Sequence, residues 1–198
     1  ADHAGVGKGT IYLHWRTREA LFNAVIERES LAVFDDVVAA LRADPEVALL
    51  HRLLPALFLH LMRRPLLRAA YVGDLELLGK LAKQADRQLE ARGDQAFARY
   101  VEVLLASGLV RSDLRPADLL FALQATIRGY FVQEEPVSDA PRVPLERQAE
   151  LLAMTVRQTF ESPEHPSAEA VRAIAPQVVE TYEEIAGLVR AHLAQAYT

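Results

Sequence analysis

The sequence predicts an all-α fold. From residue 17 onward, apolar side chains recur three or four positions apart, as they do on one face of an α-helix. Pro, Gly and Asp separate these segments, and few stretches alternate apolar and polar residues as a half-buried strand would. With 198 residues, of which 51% are hydrophobic, the chain is large enough to bury a core.

The first predicted elements are a short helix and a long one. Gly5 ends a preceding helix at a turn, and residues 8–15 form the short helix. Thr17 is a suitable amino-terminal cap for the next helix, because its side-chain oxygen can accept a backbone N–H of the first turn. The capped helix is expected to run for roughly 25 residues, which is long for a globular domain, and to end at Asp44.

The middle helices are delimited mainly by proline. They are expected at residues 45–64 with a kink at Pro55, and at residues 65–81, 85–106, 116–131 and 145–160. Gly93 and Asp94 argue against a single straight helix in 85–106. The segment 134–144 holds three prolines and is expected to be a loop.

The last predicted helix begins with Pro176 in its first turn. Its apolar residues follow at spacings of three and four and form one stripe, made of Val178, Tyr182, Ile185, Val189 and Leu193. This stripe needs a partner, which could be its own subunit, a second subunit or an effector pocket that it covers. We expect it to extend a subunit interface.

The composition limits the classes of protein. Without cysteine, the chain has neither disulfides nor thiolate zinc sites nor cysteine nucleophiles. Its formal net charge is -5, so nucleic-acid binding requires a local basic surface, and residues 1–18 hold three basic side chains and one acidic side chain. Charges and prolines interrupt the richest apolar stretch, 49–67, which predicts a soluble cytoplasmic protein with no membrane association. No helix cap precedes Ala1, which suggests a missing amino terminus.

The segment 4–10, AGVGKGT, permits two interpretations. GKGT resembles the end of the phosphate-binding loop of nucleoside monophosphate kinases, in which backbone amides and a lysine hold phosphates. That loop follows a strand of a parallel sheet, and the sequence predicts no such sheet. The second interpretation is the turn and second helix of a helix-turn-helix, followed by the long helix that Thr17 caps.

A wider match supports the second interpretation. Residues 4–22, AGVGKGTIYLHWRTREALF, resemble the tetracycline-repressor (TetR) family of bacterial regulators through A-G-V, G-T-I-Y, an aromatic residue after His, and E-A-L at the start of the next helix. The sequence departs from the family pattern at Gly7, Trp15 and Arg18, where Ser, Phe and Lys are usual. The resemblance implies a homodimeric, sequence-specific transcriptional regulator that binds a palindromic operator in double-stranded DNA.

The resemblance also implies roles for side chains of the short helix. Lys8 and Gly9 would read bases in the major groove, and Leu13 could contact a thymine methyl group. Contacts with the phosphate backbone would come from Thr10, Tyr12, His14 and Arg18. Trp15 would face the core of the small domain.

For the helical body, the resemblance implies dimerisation through a four-helix bundle, to which each subunit gives the helices 116–131 and 145–160. The candidate interface residues are Leu119, Leu123, Ile127, Leu152, Val156 and Phe160. Because each helix has more than one apolar face, these residues could equally belong to the core of one subunit.

An effector pocket is expected among the middle helices, where aromatic side chains mix with a few polar groups. The candidate lining is Phe58, Met62, Tyr71, Leu75, Phe97, Tyr100, Phe121, Gln124 and Arg128. This mixture favours a lipophilic small-molecule effector, although residues of these types also pack as ordinary core.

We therefore expect a DNA-binding region with its connecting helix at residues 1–44, and an effector-binding and dimerisation domain at residues 45–198. The regulator is expected to be a repressor, which its effector releases by changing the distance between the two recognition helices. The alternative is a helical small-molecule-binding module without a DNA role.

No cofactor, metal or enzymatic activity is expected. His51 and His60 are nine positions apart, about half a turn out of phase at 3.6 residues per turn, so they do not form a metal pair on one helix face. The adjacent carboxylates Glu183 and Glu184 diverge by about 100° on a helix, which is unsuitable for a catalytic acid–base pair.

Overall fold

The computed structural model describes residues 7–72, 87–132, 143–164 and 166–196. Within these ranges the regular structure is helical, apart from one isolated β-bridge between Val110 and Glu161. The helices in chain order are α1 (Lys8–His14), α2 (Arg18–Ala43), α3 (Leu50–Met62), α4 (Pro65–Val72), α5 (Arg87–Ala106), α6 (Pro116–Phe131), α7 (Leu145–Phe160) and α8 (Ala168–Ala196), with a 3₁₀ turn (Pro45–Ala48) between α2 and α3. The all-α prediction is confirmed.

The long helix α2 has the limits that its caps predict. Thr17 precedes it in an extended conformation, and the Thr17 Oγ1 accepts a hydrogen bond from the backbone N–H of Ala20 at 3.0 Å. The helix continues for 26 residues, and Asp44 follows it. The Asp44 carboxylate then caps the 3₁₀ turn by accepting the N–H of Glu46 at 3.0 Å.

The helix α5 runs through Gly93 without a break, so this glycine does not divide it. Its end is defined by Gly108, which has a φ of 68°. In this left-handed conformation, the N–H of Leu109 donates to the carbonyl of Leu104 at 3.0 Å, which ends the helix and reverses the chain. The reversal brings Val110 beside Glu161, so the bridge ties the ends of α5 and α7 together.

The last helix, α8, begins at Ala168 rather than near Pro176, which corrects the sequence prediction. Ser167 supplies the cap, because its Oγ accepts the N–H of Ala170 at 3.1 Å. Pro176 therefore lies inside the helix, where it removes one backbone hydrogen bond. The added first turns bury Val171 and Ile174, and this burial offsets the loss.

The apolar stripe of α8 packs within its own subunit, which corrects the expected subunit interface. Val178, Tyr182, Ile185, Val189 and Leu193 are all buried. They face α2, α5 and the 3₁₀ turn. On the other side of the fold, α3 packs mainly on α7.

Tyr100 of α5 is among the largest fully buried side chains. Its hydroxyl donates a hydrogen bond to the carbonyl oxygen of Ala48 at 2.7 Å and so connects α5 to the 3₁₀ turn. Burial is the main cause that raises the pKa of Tyr100 well above its ordinary value of 10.0, and nearby Tyr182 and Glu161 raise it further. The phenol is therefore held in its neutral form.

Most of the predicted dimer contacts are core residues of one subunit. Leu119, Leu123, Leu152, Val156 and Phe160 are all buried, and Ile127 packs against the core. These positions share the inward faces of α6 and α7, so they are not surface residues that a second subunit could reach.

Among the described helices, none has the length together with the apolar character that crossing a membrane requires.

Candidate nucleic-acid interface

The short helix α1 presents several side chains to solvent at one end of the molecule. Leu13 is 83% exposed and Tyr12 is 51% exposed, which makes them two of the exposed large apolar residues of the chain. Gly9 and His14 are exposed as well. Lys8 and Thr10 lie in α1, but their side chains are outside the described part of the structure. Four of the predicted contact residues thus form an uncovered surface on one short helix.

Trp15 anchors this helix on the opposite side, as predicted. It is partly buried and packs against the hydrophobic core, while its ring centroid lies 5.8 Å from that of His14. Thr17 then starts α2 directly after the turn. The position of α1 is therefore set by one aromatic anchor and one helix cap, and both come from the motif that the sequence displays.

The basic residues at this end differ from arginines of the body. Arg16 and Arg18 are exposed, and neither forms an ion pair with another residue that the structure describes. Many arginines elsewhere have acidic partners, as Arg52 does in Asp44 and Glu46. Guanidinium groups without an internal partner can bind phosphate oxygens without first losing a salt bridge. This end of the molecule is suited to a polyanion.

The predicted pocket residues whose side chains the structure describes do not line one cavity. Phe58 and Tyr100 are completely buried, and the Phe58 ring packs on Phe131 at a centroid distance of 5.3 Å. Phe121, in contrast, is 73% exposed, and Arg128 is also exposed. The reason is helix geometry: with Leu119 and Leu123 facing inward on α6, a residue two positions from each must face outward.

The other predicted pocket residues are distributed as follows. Phe97 is partly buried, with its ring centroid 6.3 Å from that of Tyr100, and Met62 and Gln124 are partly exposed. Tyr71 lies in α4 with its side chain outside the described part, and Leu75 is outside the described residues.

Two shallow grooves open elsewhere on the surface. One lies between α2 and α8 and the other between α5 and α8. Their linings contain none of the predicted pocket residues. The first is lined by Asp35, Val38, Ala39, Arg42, Glu183, Ala186 and Arg190. The grooves follow helix seams, and opposite charges line the first on both sides.

The histidines and paired carboxylates that we considered for metal binding or catalysis take part in interhelical contacts. His51 Nδ1 lies 2.8 Å from the Oε2 of Glu161, and the Oε1 of Glu161 accepts the backbone N–H of His51 at 2.9 Å. His60 Nδ1 lies 3.2 Å from the Oδ2 of Asp36. Glu183 and Glu184 diverge, because they pair with arginines of two different helices, Arg42 of α2 and Arg99 of α5.

Sequence reasoning missed Arg64, which connects the end of α3 to α2. Its guanidinium lies 3.3 Å from Glu29 and 3.1 Å from Asp36, and it donates to the carbonyl of His60 at 3.0 Å. Glu29 and Asp36 are seven positions apart and so share one face of α2. Two carboxylates on one face were the signal that a basic partner lies opposite.

Gly9 provides a direct test of a close approach by DNA. A Cβ atom added at this position would meet nothing within 4 Å, so the free protein has room for a side chain there. Since alanine is the better helix former by about 1 kcal/mol, Gly9→Ala should leave the melting temperature unchanged or raise it. We expect it nevertheless to weaken DNA binding about tenfold, because the added methyl group would separate the helix backbone from the bases. Calorimetric melting and fluorescence anisotropy would measure both effects, and undiminished DNA binding would contradict the close approach.

Comparison with known proteins agrees with this geometry. Residues 1–25 match the family model described as "Bacterial regulatory proteins, tetR family". The matched segment contains α1, Trp15, the Thr17 cap and the beginning of α2. No match is found among the curated proteins or among the solved structures.

Proposed function

Since its first 25 residues place the chain in the tetR family of bacterial regulatory proteins, we propose that this DNA-binding transcriptional regulator is a homodimeric repressor that a small molecule releases from its operator. The observation that carries the DNA-binding role is the uncovered surface of α1 beside Arg16 and Arg18, which pair with no acidic residue in the described part of the chain. In this proposal, Lys8 and Gly9 contact bases and Leu13 contacts a thymine methyl group. Thr10, Tyr12, His14 and Arg18 contact phosphates.

A dimer is part of the proposal, because one short helix contacts too few base pairs for specific binding. The outward face of α6 supplies the contact surface. Phe121 is 73% exposed there, and Ala125 and Gly129 follow it on the same face at spacings of four. Small residues allow two helices to approach closely, while Met154 on α7 is a second exposed apolar residue, at 49%. Two copies of this surface would form a symmetric four-helix bundle.

The effector is proposed to bind in the body, residues 45–198, while residues 1–44 bind DNA. The aromatic side chains of Phe58, Phe97 and Tyr100 favour a lipophilic molecule, which would enter this closely packed interior only when the surrounding helices move apart. The recognition helices of a dimer must match half-sites about 34 Å apart, so a small change in their separation lowers operator affinity. Release by an effector would follow from such a change.

The salt dependence of Arg18→Ala tests the DNA-binding role. Removing one phosphate contact should weaken binding to all sequences alike and reduce the slope of log affinity against log salt by about one unit. Fluorescence anisotropy with the full-length protein and DNA from upstream of its own gene would measure the slope. Arg115→Ala is the matched control, because Arg115 is an exposed arginine on the body, 84% accessible, and should leave the slope unchanged.

Two results would count against these assignments. An unchanged slope for Arg18→Ala would remove Arg18 from the phosphate contacts. A folded wild-type protein that binds no DNA sequence specifically would favour a small-molecule-binding helical module instead.

A further inference from the structure

The helix α2 carries the recognition helix, and its main packing partner is α8. Among the elements that the structure describes, α8 makes more contacts with α2 than any other element does. Val33, Val37 and Leu41 of α2 are almost completely buried, and so are Val178 and Val189 of α8. The orientation of α2 relative to the body therefore depends first on α8.

Charged pairs follow the same seam. Glu27 of α2 lies 3.6 Å from His192, Asp35 pairs with Arg190, and Arg42 pairs with Glu183. Residue numbers rise along α2 as they fall along α8, so the two helices are antiparallel. From Glu27 to Arg42 the contacts extend over about 22 Å at 1.5 Å per residue. The seam thus holds most of the length of α2.

The helix α8 also packs on α5 in the interior of the body. The Tyr182 ring lies between Phe34 of α2, at a centroid distance of 6.4 Å, and Tyr100 of α5, at 6.5 Å. Glu184 adds an ion pair with Arg99 of α5. The helix α8 therefore joins α2 to α5, while α2 also contacts α3 and α4 directly.

The length of α2 amplifies small rotations. Its 26 residues extend over about 39 Å, so a rotation of about 5° around its carboxyl end moves its amino end by about 3 Å. We propose that α8 positions α2 and so sets the separation of the two recognition helices in the dimer, with Arg190 and Glu183 as positioning residues. This inference rests on the proposed function.

A charge exchange at the pair of Asp35 with Arg190 tests the proposal. Arg190→Asp places a second carboxylate opposite Asp35, and the double variant Asp35→Arg/Arg190→Asp restores a pair with reversed polarity and unchanged net charge. The probes are duplexes that the wild-type protein selects from a random DNA library: the selected palindrome, one half-site, and palindromes with one base pair added or removed between the half-sites. Affinities are measured by fluorescence anisotropy.

We expect Arg190→Asp to lower affinity for the palindrome about fivefold and to change the preferred spacing, while its half-site affinity stays within about twofold of wild type. The charge exchange should restore both. Arg63→Asp is the control, since Arg63 pairs with Glu146 between α3 and α7 with a similar exposure, 58% against 54% for Arg190. It should leave the spacing preference unchanged.

Hydrogen exchange of the free protein tests the contact between α2 and α8 in the absence of DNA. Amides of α2 should exchange faster in Arg190→Asp than in Arg63→Asp and return to wild-type rates in the charge exchange. Equal losses of half-site and palindrome affinity, or no rescue by the exchange, would overturn the positioning role alone. A wild-type protein that selects no DNA sequence would overturn the proposed function as well.

Discussion

The substitution Phe121→Asp is expected to produce a monomer that binds the operator at least about a hundredfold more weakly than the wild-type protein. A dimer binds its second half-site at a high effective concentration, and a monomer loses this gain. The charged side chain would be buried without a partner in the proposed interface between the two copies of α6. Because Phe121 is 73% exposed in one subunit, the fold itself should remain intact.

Sedimentation and anisotropy measure the two effects, and circular dichroism verifies the fold. Leu188→Asp is the matched control, because Leu188 is an exposed apolar residue of α8, at 49%, outside the α6 and α7 surface. It should remain dimeric and bind DNA normally. If the Leu188 variant were monomeric while the Phe121 variant stayed dimeric, the interface would lie on α8.

The substitution Tyr100→Phe is expected to have the largest effect on stability above pH 10. In the unfolded chain this phenol ionises near its ordinary pKa of 10.0, whereas burial raises its pKa in the folded protein. Above pH 10, this tyrosine therefore loses its proton when the protein unfolds. For each further pH unit, up to the pKa of the folded protein, the equilibrium constant for unfolding rises by up to about tenfold. Tyr100→Phe should lack this alkaline loss.

At neutral pH the same variant should lose about 1–2 kcal/mol of unfolding free energy, because the buried carbonyl of Ala48 loses its hydrogen-bond donor. Urea unfolding between pH 7 and pH 11 would measure both effects. Tyr12→Phe removes the same atom from an exposed ring and should retain the wild-type pH dependence. An alkaline slope that persists in Tyr100→Phe would assign the loss to another group.

Much of the helical architecture could be predicted from local signals. Thr17, Pro65 and Pro116 define helix starts through the chemistry of the first turn, which depends on a few neighbouring residues. The predicted start of α8 was wrong, because Pro176 is also compatible with a helix interior when packing compensates for the lost backbone hydrogen bond. Ser167, a cap residue earlier in the chain, was the better signal.

The inward and outward faces of α6 could not be assigned from periodicity. Leu119 and Leu123 form one apolar face, and Phe121 belongs to another, so the sequence pattern alone does not say which of them the subunit buries. The exposed face of α1 could be predicted, because a specific motif defines its orientation. Contacts such as Arg64 with Asp36 join residues 28 positions apart, and only the packing of α2 against the end of α3 brings them together.

Trp15, which follows α1 and packs against the hydrophobic core, is the single tryptophan of the chain. Excitation at a wavelength that only tryptophan absorbs therefore gives emission from the end of the molecule that contains α1, and none from residues 45–198. Its ring lies beside His14, a proposed phosphate contact, so docking of DNA would alter the surroundings of the indole. The protein thus contains a natural optical reporter, whose emission can follow the proposed recognition helix α1 without a label while urea, a candidate effector or DNA is added.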